Sequence, residues 1–214
     1  LLVELPHFNK LILGEHMSYV LIQDTIEKLR IHGRENLLNQ INFNTNPATS
    51  ELRIDNDNQC RFLRYKTNDI LVYIHFINLN ELIFNGSDSL FNQGILDFDT
   101  IRIRTQGAAG SINLNVDANE INTINEAGWP DLTISGSCTN FRAEIFGNQF
   151  FDISELNVNE TLTVISNSGT LSKINGEGCK LKVELSGTGD LWFYGIPTEI
   201  VKKKYNSGKL IDKN

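Results

Sequence analysis

Four histidines, His7, His16, His32 and His75, and three cysteines, Cys60, Cys138 and Cys179, are the imidazoles and thiols of this 214-residue sequence. Glu15-His16 and His32, 16 residues on, could meet across adjacent turns of a coil and hold a divalent ion. The close spacing of a catalytic zinc site, as in H-E-x-x-H, is absent, and no metal or other cofactor is expected. The cysteines are odd in number, widely spaced and form no C-x-x-C pair, so they read as small buried hydrophobes. A Cys138–Cys179 bridge requires a fold that brings the two together. Asp55-Asn56-Asp57-Asn58 begins like a calcium loop but lacks the glycine at loop position six and the closing glutamate, and so reads as a polar turn.

Glycan hydrolysis needs two carboxylates on one face. Asp97 and Asp99 lie on the same side of their strand and could flank a groove, although a solvated pair is the simpler reading. The Asp-Asp and Gly-His-Gly segments of polygalacturonase-like enzymes are missing, and Arg102-Ile103-Arg104 reads as a wet strand face. No histidine-plus-nucleophile grouping or phosphate-cradling loop occurs, so no catalytic residue is expected. In Leu191-Trp192-Phe193-Tyr194 the alternation turns Trp192 and Tyr194 to one outer face, where they could offer a platform to sugars or protein partners. The competing reading has the closing segment 196–210 fold over and cover them. Lys202-Lys203-Lys204 reads as a solvated charge run, with an anionic glycan or membrane surface as its functional counterpart.

The elements that must carry these side chains are strands. The chain holds 26 Asn and 16 Gly against 6 Ala, a balance that disfavours helix and favours short strands between turns. Its net charge of −7 lacks the basic stripe a nucleic-acid binder needs. The longest apolar stretch, Ile70 to Ile74, is far short of a membrane span. Turn signals recur at 86, 107, 128, 147, 167, 187 and about 207, in steps of 19 to 21 residues. At 167 Asn replaces Gly, read here as the next most tolerant residue at positive φ. Between turns, Ile112, Leu114, Val116 and Ala118 alternate with polar residues, as do Leu181, Val183 and Leu185. A near-constant period with internal alternation describes stacked coils, a parallel β-helix of coils of about 20 residues. An antiparallel sandwich gives no reason for the period. Counted by length, 214 residues make roughly ten coils, a rod near 50 Å long.

The first eighty residues are less regular. Gly14 and Gly33, with strand-like flanks, suggest two early coils; 34–40 suggests one short helical turn; 44–64 suggests an insertion or hairpin. With no Pro/Gly/Ser linker, the expectation is a single β-helical domain over 1–214, irregular over 1–80 and regular over 81–214.

The run Leu185-Ser186-Gly187-Thr188-Gly189-Asp190-Leu191-Trp192-Phe193-Tyr194-Gly195-Ile196-Pro197 resembles the closing motif of the head-GIN-domain putative auto-transporter adhesins. Phe8-Asn9-Lys10-Leu11-Ile12-Leu13-Gly14 is similar to their opening, and Val72-Tyr73-Ile74 with the stretch Leu79 to Ser87 follows in order. Asn78-Leu79 departs from the usual proline-containing approach, and Gln106-Gly107-Ala108-Ala109-Gly110 is a degraded Ser-Gly turn. The resemblance implies a right-handed β-helix, exported by a Bacteroidetes-like bacterium to the periplasm, outer membrane or cell surface, with an adhesive role and no known catalytic residues. The expected function is a non-catalytic exported module, with a glycan or a surface protein as partner. The alternatives are a polysaccharide-active enzyme or glycan-binding β-helix, and an assembly module pairing through its last coil.

Overall fold

The computed structural model of this chain describes residues 1–58 and 70–214. Strand makes up 63% and helix 2%, so the alanine-poor composition yields, among the described residues, one helical turn, Glu35–Leu38. The chain forms a β-solenoid of about seven turns, with parallel bridges about 20 residues apart. From Glu81 onward its rungs stack on three faces. The first face stacks 81–84, 102–105, 122–125, 142–145, 163–166, 182–185 and 201–204. The second stacks 90–91, 112–113, 132–133, 151–152, 172–173, 191–192 and 210–211. A shorter third face stacks 96–98, 116–118, 136–138 and 156–158.

Parallel, in-register pairing sends equivalent side chains the same way, so period-two alternation becomes continuous interior rows. Ile103, Thr123, Ala143, Val164 and Val183 form one such row, and Leu90, Ile112, Leu132, Phe151, Ser172 and Leu191 another, all buried. These rows merge into a single hydrophobic core running from Phe8 to Phe193.

Close stacking also explains the repeated glycines, though not wholly as expected. Gly128 has φ +104°, and a Cβ there would also meet the Ala108 carbonyl oxygen of the neighbouring coil. Gly187 has no positive φ, yet a Cβ on it would fall on the carbonyl oxygen of Ser168. Asn167 likewise has no positive φ; among the described non-glycine residues only His16 and Ser50 do. The Asn-for-Gly exchange at 167 therefore does not rest on left-handed geometry.

The amino-terminal portion departs further. Lys10–Leu13 is a rung of the first face, but it lies between Glu51–Asn56 and Glu81–Phe84, pairing in parallel with both. Ser18–Gln23 lies likewise between Leu71–Phe76 and Ser89–Asn92. Lys10 marks this order with ion pairs to Glu51 at 3.1 Å and Glu81 at 3.7 Å. The first parallel rungs thus lie one level in, and the chain later lays down the outermost parallel rungs before returning past its own first coil.

Lys28–His32, expected as a second early coil, instead runs antiparallel to Leu71–Phe76 and carries Leu2–Glu4 on its other side. Ile41–Asn46 forms an antiparallel hairpin with Glu51–Asn56, as the 44–64 reading allowed. Residues 59–69, including Cys60 and the end of that stretch, lie outside the described residues. Antiparallel strands lack the register to extend a parallel stack, so they cap it. Length spent on caps and connections is why roughly ten coils reduce to about seven turns.

Cys138 and Cys179 are free thiols, both buried in the core. Burial first, then the neighbouring Cys179 and Asp117, push the Cys138 thiol up to about 12 from an ordinary 9.0. Burial raises Cys179 as well. The thiolate fraction of Cys138 at neutral pH therefore falls about a thousandfold. A thiol-specific label, located by peptide mass spectrometry, is expected to spare Cys138 and Cys179 in the native chain and mark both after unfolding in guanidinium. Rapid native labelling of either would contradict this packing.

Candidate functional site

The second face carries Trp192 and Tyr194 outward, because Leu191 and Phe193 on the same strand are buried. Both outward residues are half-buried. Trp192 pairs in register with Lys173 on one side and Ile211 on the other, and the Lys213 ammonium sits 4.2 Å from its ring centroid. The partial cover expected from 196–210 thus comes instead from residues beyond it. A cation over an indole face is attracted by the ring quadrupole, which holds the ring in one orientation. Lys173 reaches back to Asp152 at 3.3 Å and lies 5.6 Å from the Phe150 ring centroid.

The same face has a rim that alternation did not reveal. Trp129 is 73% exposed, Phe146 49% and Phe150 40%. Trp129 follows Gly128, Phe146 precedes Gly147, and a Cβ on Gly147 would meet the Gly128 carbonyl oxygen. The two aromatics therefore flank one step of the stack, at the corner between the first and second faces. Phe150 opens the next rung, opposite Asp131. The available signal for Trp129 was its place in Gly128-Trp129-Pro130: strand alternation stops there, so a large apolar residue has no inward slot.

The groupings weighed as catalytic or metal-binding are dispersed or already engaged. His7 pairs with Glu27 at 2.9 Å and His75 with Asp24 at 2.8 Å. His16 pairs with Glu15 at 3.3 Å and bonds Ser87, while His32 meets the Tyr73 ring edge-on. Hydrogen bonds from the Thr25 amide and from His75, with Lys28 nearby, hold the Asp24 carboxyl at about 2, below its ordinary 3.8. Asp55 accepts from Arg53 at 2.6 Å, and Asp57 accepts from Asn42. Among the described residues no group of three or more His, Cys, Asp or Glu could hold a metal ion.

Asp97 and Asp99 do line one groove of about 430 Å³, joined there by Asp117, Asn119 and Asn159. Asp97 and Asp117 are register partners, Asn119 donates to Asp99 at 2.8 Å and Ser137 donates to Asp117 at 2.8 Å. A glycosidase acid must be kept protonated by burial, and all three carboxylates are exposed. These side chains form hydrogen-bonded ladders from coil to coil, which fasten the stack.

A family model described as "Putative auto-transporter adhesin, head GIN domain" matches residues 7–207. The chain belongs to this family. Its head GIN fold is similar to that of a putative adhesin from Bacteroides fragilis, with a TM-score of 0.81 and 17% identity over 99% of this chain and 95% of that one. A putative adhesin from Parabacteroides merdae gives 0.63 and 14% over 100% and 95%. A protein from Parabacteroides distasonis described as a putative lipid binding protein gives 0.69 and 13% over 100% and 95%. At these identities the likeness is one of fold. No curated protein sequence matches the head GIN chain. Among its described residues no helix is long and apolar enough to cross a membrane.

Proposed function

We propose that this chain is an exported, non-catalytic binding module of the bacterial surface, which engages a glycan or a surface protein through its second face and the adjoining corner. The observation that carries this reading is the 73% exposed Trp129, set beside Phe146 and Phe150 at the rim of the face that bears Trp192 and Tyr194. Exposed aromatics offer flat apolar area with little rotamer entropy to lose, which suits sugar rings and protein hot spots alike. Membership of an adhesin family supports the same reading.

The test pairs a glycan array and surface-protein binding with a turnover screen on acidic polysaccharides. Selective binding without turnover is expected. Trp129→Ala and Trp192→Ala are each expected to weaken binding about 5–10-fold, since one aromatic contact contributes about 1 kcal/mol. Turnover without selective binding would establish the enzyme reading in its place and direct attention to the Asp97, Asp99 and Asp117 groove.

A further inference from the structure

The first face presents a second pattern, in a different place and of different chemistry. Between Glu81 and Val201 its outward row reads Arg102, Asn122, Arg142, Thr163, Lys182, each the register partner of the next. Cation and neutral hydrogen-bonding side chain alternate rung by rung. With rungs about 4.8 Å apart, the cations recur about every 9.5 Å along a straight line. All three cations are exposed.

Two depressions of about 230 Å³ each lie along this row and share Arg142; one reaches Arg102 and the other Lys182. Arg102 and Lys182 have no ion pair among the described residues. Arg142 is held through Nε and Nη2 by Glu144, at 3.0 and 2.7 Å, which fixes the guanidinium. Arg104, by contrast, is committed to Glu126 and Glu81. Residues 173–214 hold eight lysines against five carboxylates in a chain of net charge −7, so positive charge gathers where this track ends.

We infer that the Arg102–Arg142–Lys182 row is a binding track for an extended acidic polysaccharide carrying one anionic group per disaccharide. An extended pyranose chain advances by close to one rung per sugar. Every second sugar then sets its carboxylate or sulfate on a cation, and the intervening sugar offers hydroxyls to Asn122 or Thr163. A polymer charged on every sugar would press half its anions against those neutral positions, where Asn122 already donates to the Glu120 carboxylate at 2.8 Å. A lipid surface would favour cations spread over an area, whereas these lie in a line.

The experiment measures binding to the full chain at low and moderate salt. The probes are size-matched oligosaccharides of hyaluronan, with one carboxylate per disaccharide, and of polygalacturonate, with one per sugar, together with uncharged dextran and phosphatidylglycerol vesicles. Hyaluronan is expected to bind at least tenfold tighter than polygalacturonate. The double variant Arg102→Gln/Lys182→Gln is expected to lose at least tenfold and to flatten the salt dependence. Lys209→Gln, an exposed lysine off the track, is expected to leave hyaluronan binding unchanged. Equal or tighter polygalacturonate binding, hyaluronan binding insensitive to the double variant, absence of saccharide binding, or vesicle binding alone would each overturn the inference. Because the track lies on the first face, its failure and failure of the aromatic face show in separate variants.

Discussion

Gly187→Ala is expected to lower the melting temperature by about 5–15 °C, a loss of about 2–4 kcal/mol. The Cβ would fall on backbone atoms of Ser168, including its carbonyl oxygen, rather than on the yielding end of a side chain. Relief requires the coils to separate, but they are tied here by Ser186 N–H to the Ser166 carbonyl at 2.9 Å and Gly189 N–H to the Ser168 carbonyl at 2.9 Å. On the far side Gly208 N–H binds the Gly187 carbonyl at 3.3 Å, so displacement on one side strains the other. Gly169→Ala is the matched control. Its nearest atoms, on Asn148 and Thr188, lie at 3.5 Å and its φ is ordinary, so the change should stay within about 1 kcal/mol. Thermal unfolding followed by circular dichroism compares the two. Equal melting temperatures would mean that carbonyl stacking does not set the glycine positions.

Removing the charge from the last rung should convert the chain from blocked to self-pairing. Glu199–Lys204 is paired only with Lys180–Leu185 among the described strands, leaving its other edge open. Its inward positions, Ile200, Lys202 and Lys204, stand over the buried Leu181, Val183 and Leu185, and the whole strand is exposed. Lysines aimed at the end of an apolar stack oppose continuation of the core into another chain, since pairing would bury unpartnered ammonium groups. Lys202→Val/Lys204→Ile is therefore expected to produce concentration-dependent oligomers or fibres in light scattering after size exclusion. Lys203→Ile removes a like charge at an outward position, paired with Glu184, and should have far less effect. If both variants scatter alike, net charge rather than inward placement protects this edge.

Much of the architecture was legible because a solenoid writes its geometry into local sequence. A turn every 19 to 21 residues and alternation between turns suffice to specify stacked parallel rungs, and the rows through Thr123 and Phe151 follow that pattern. Trp192 and Tyr194 were readable as outward from the same rule. Trp129 was not, since alternation says nothing of a turn residue's exposure. The cation row was hidden for another reason. Arg102, Arg142 and Lys182 are 40 residues apart at each step, and only rung register turns that separation into adjacency along a line.

By itself the sequence determined the period, the inward and outward positions and the near absence of helix, because each depends on contacts within one coil. Only the tertiary structure decided the order of stacking. Every rung offers its neighbours the same backbone hydrogen bonds, so local pattern cannot say that Lys10–Leu13 belongs between Glu51–Asn56 and Glu81–Phe84. That choice rests on side chains meeting across rungs, such as Lys10 between Glu51 and Glu81, and on antiparallel strands that can end a parallel stack but not extend it.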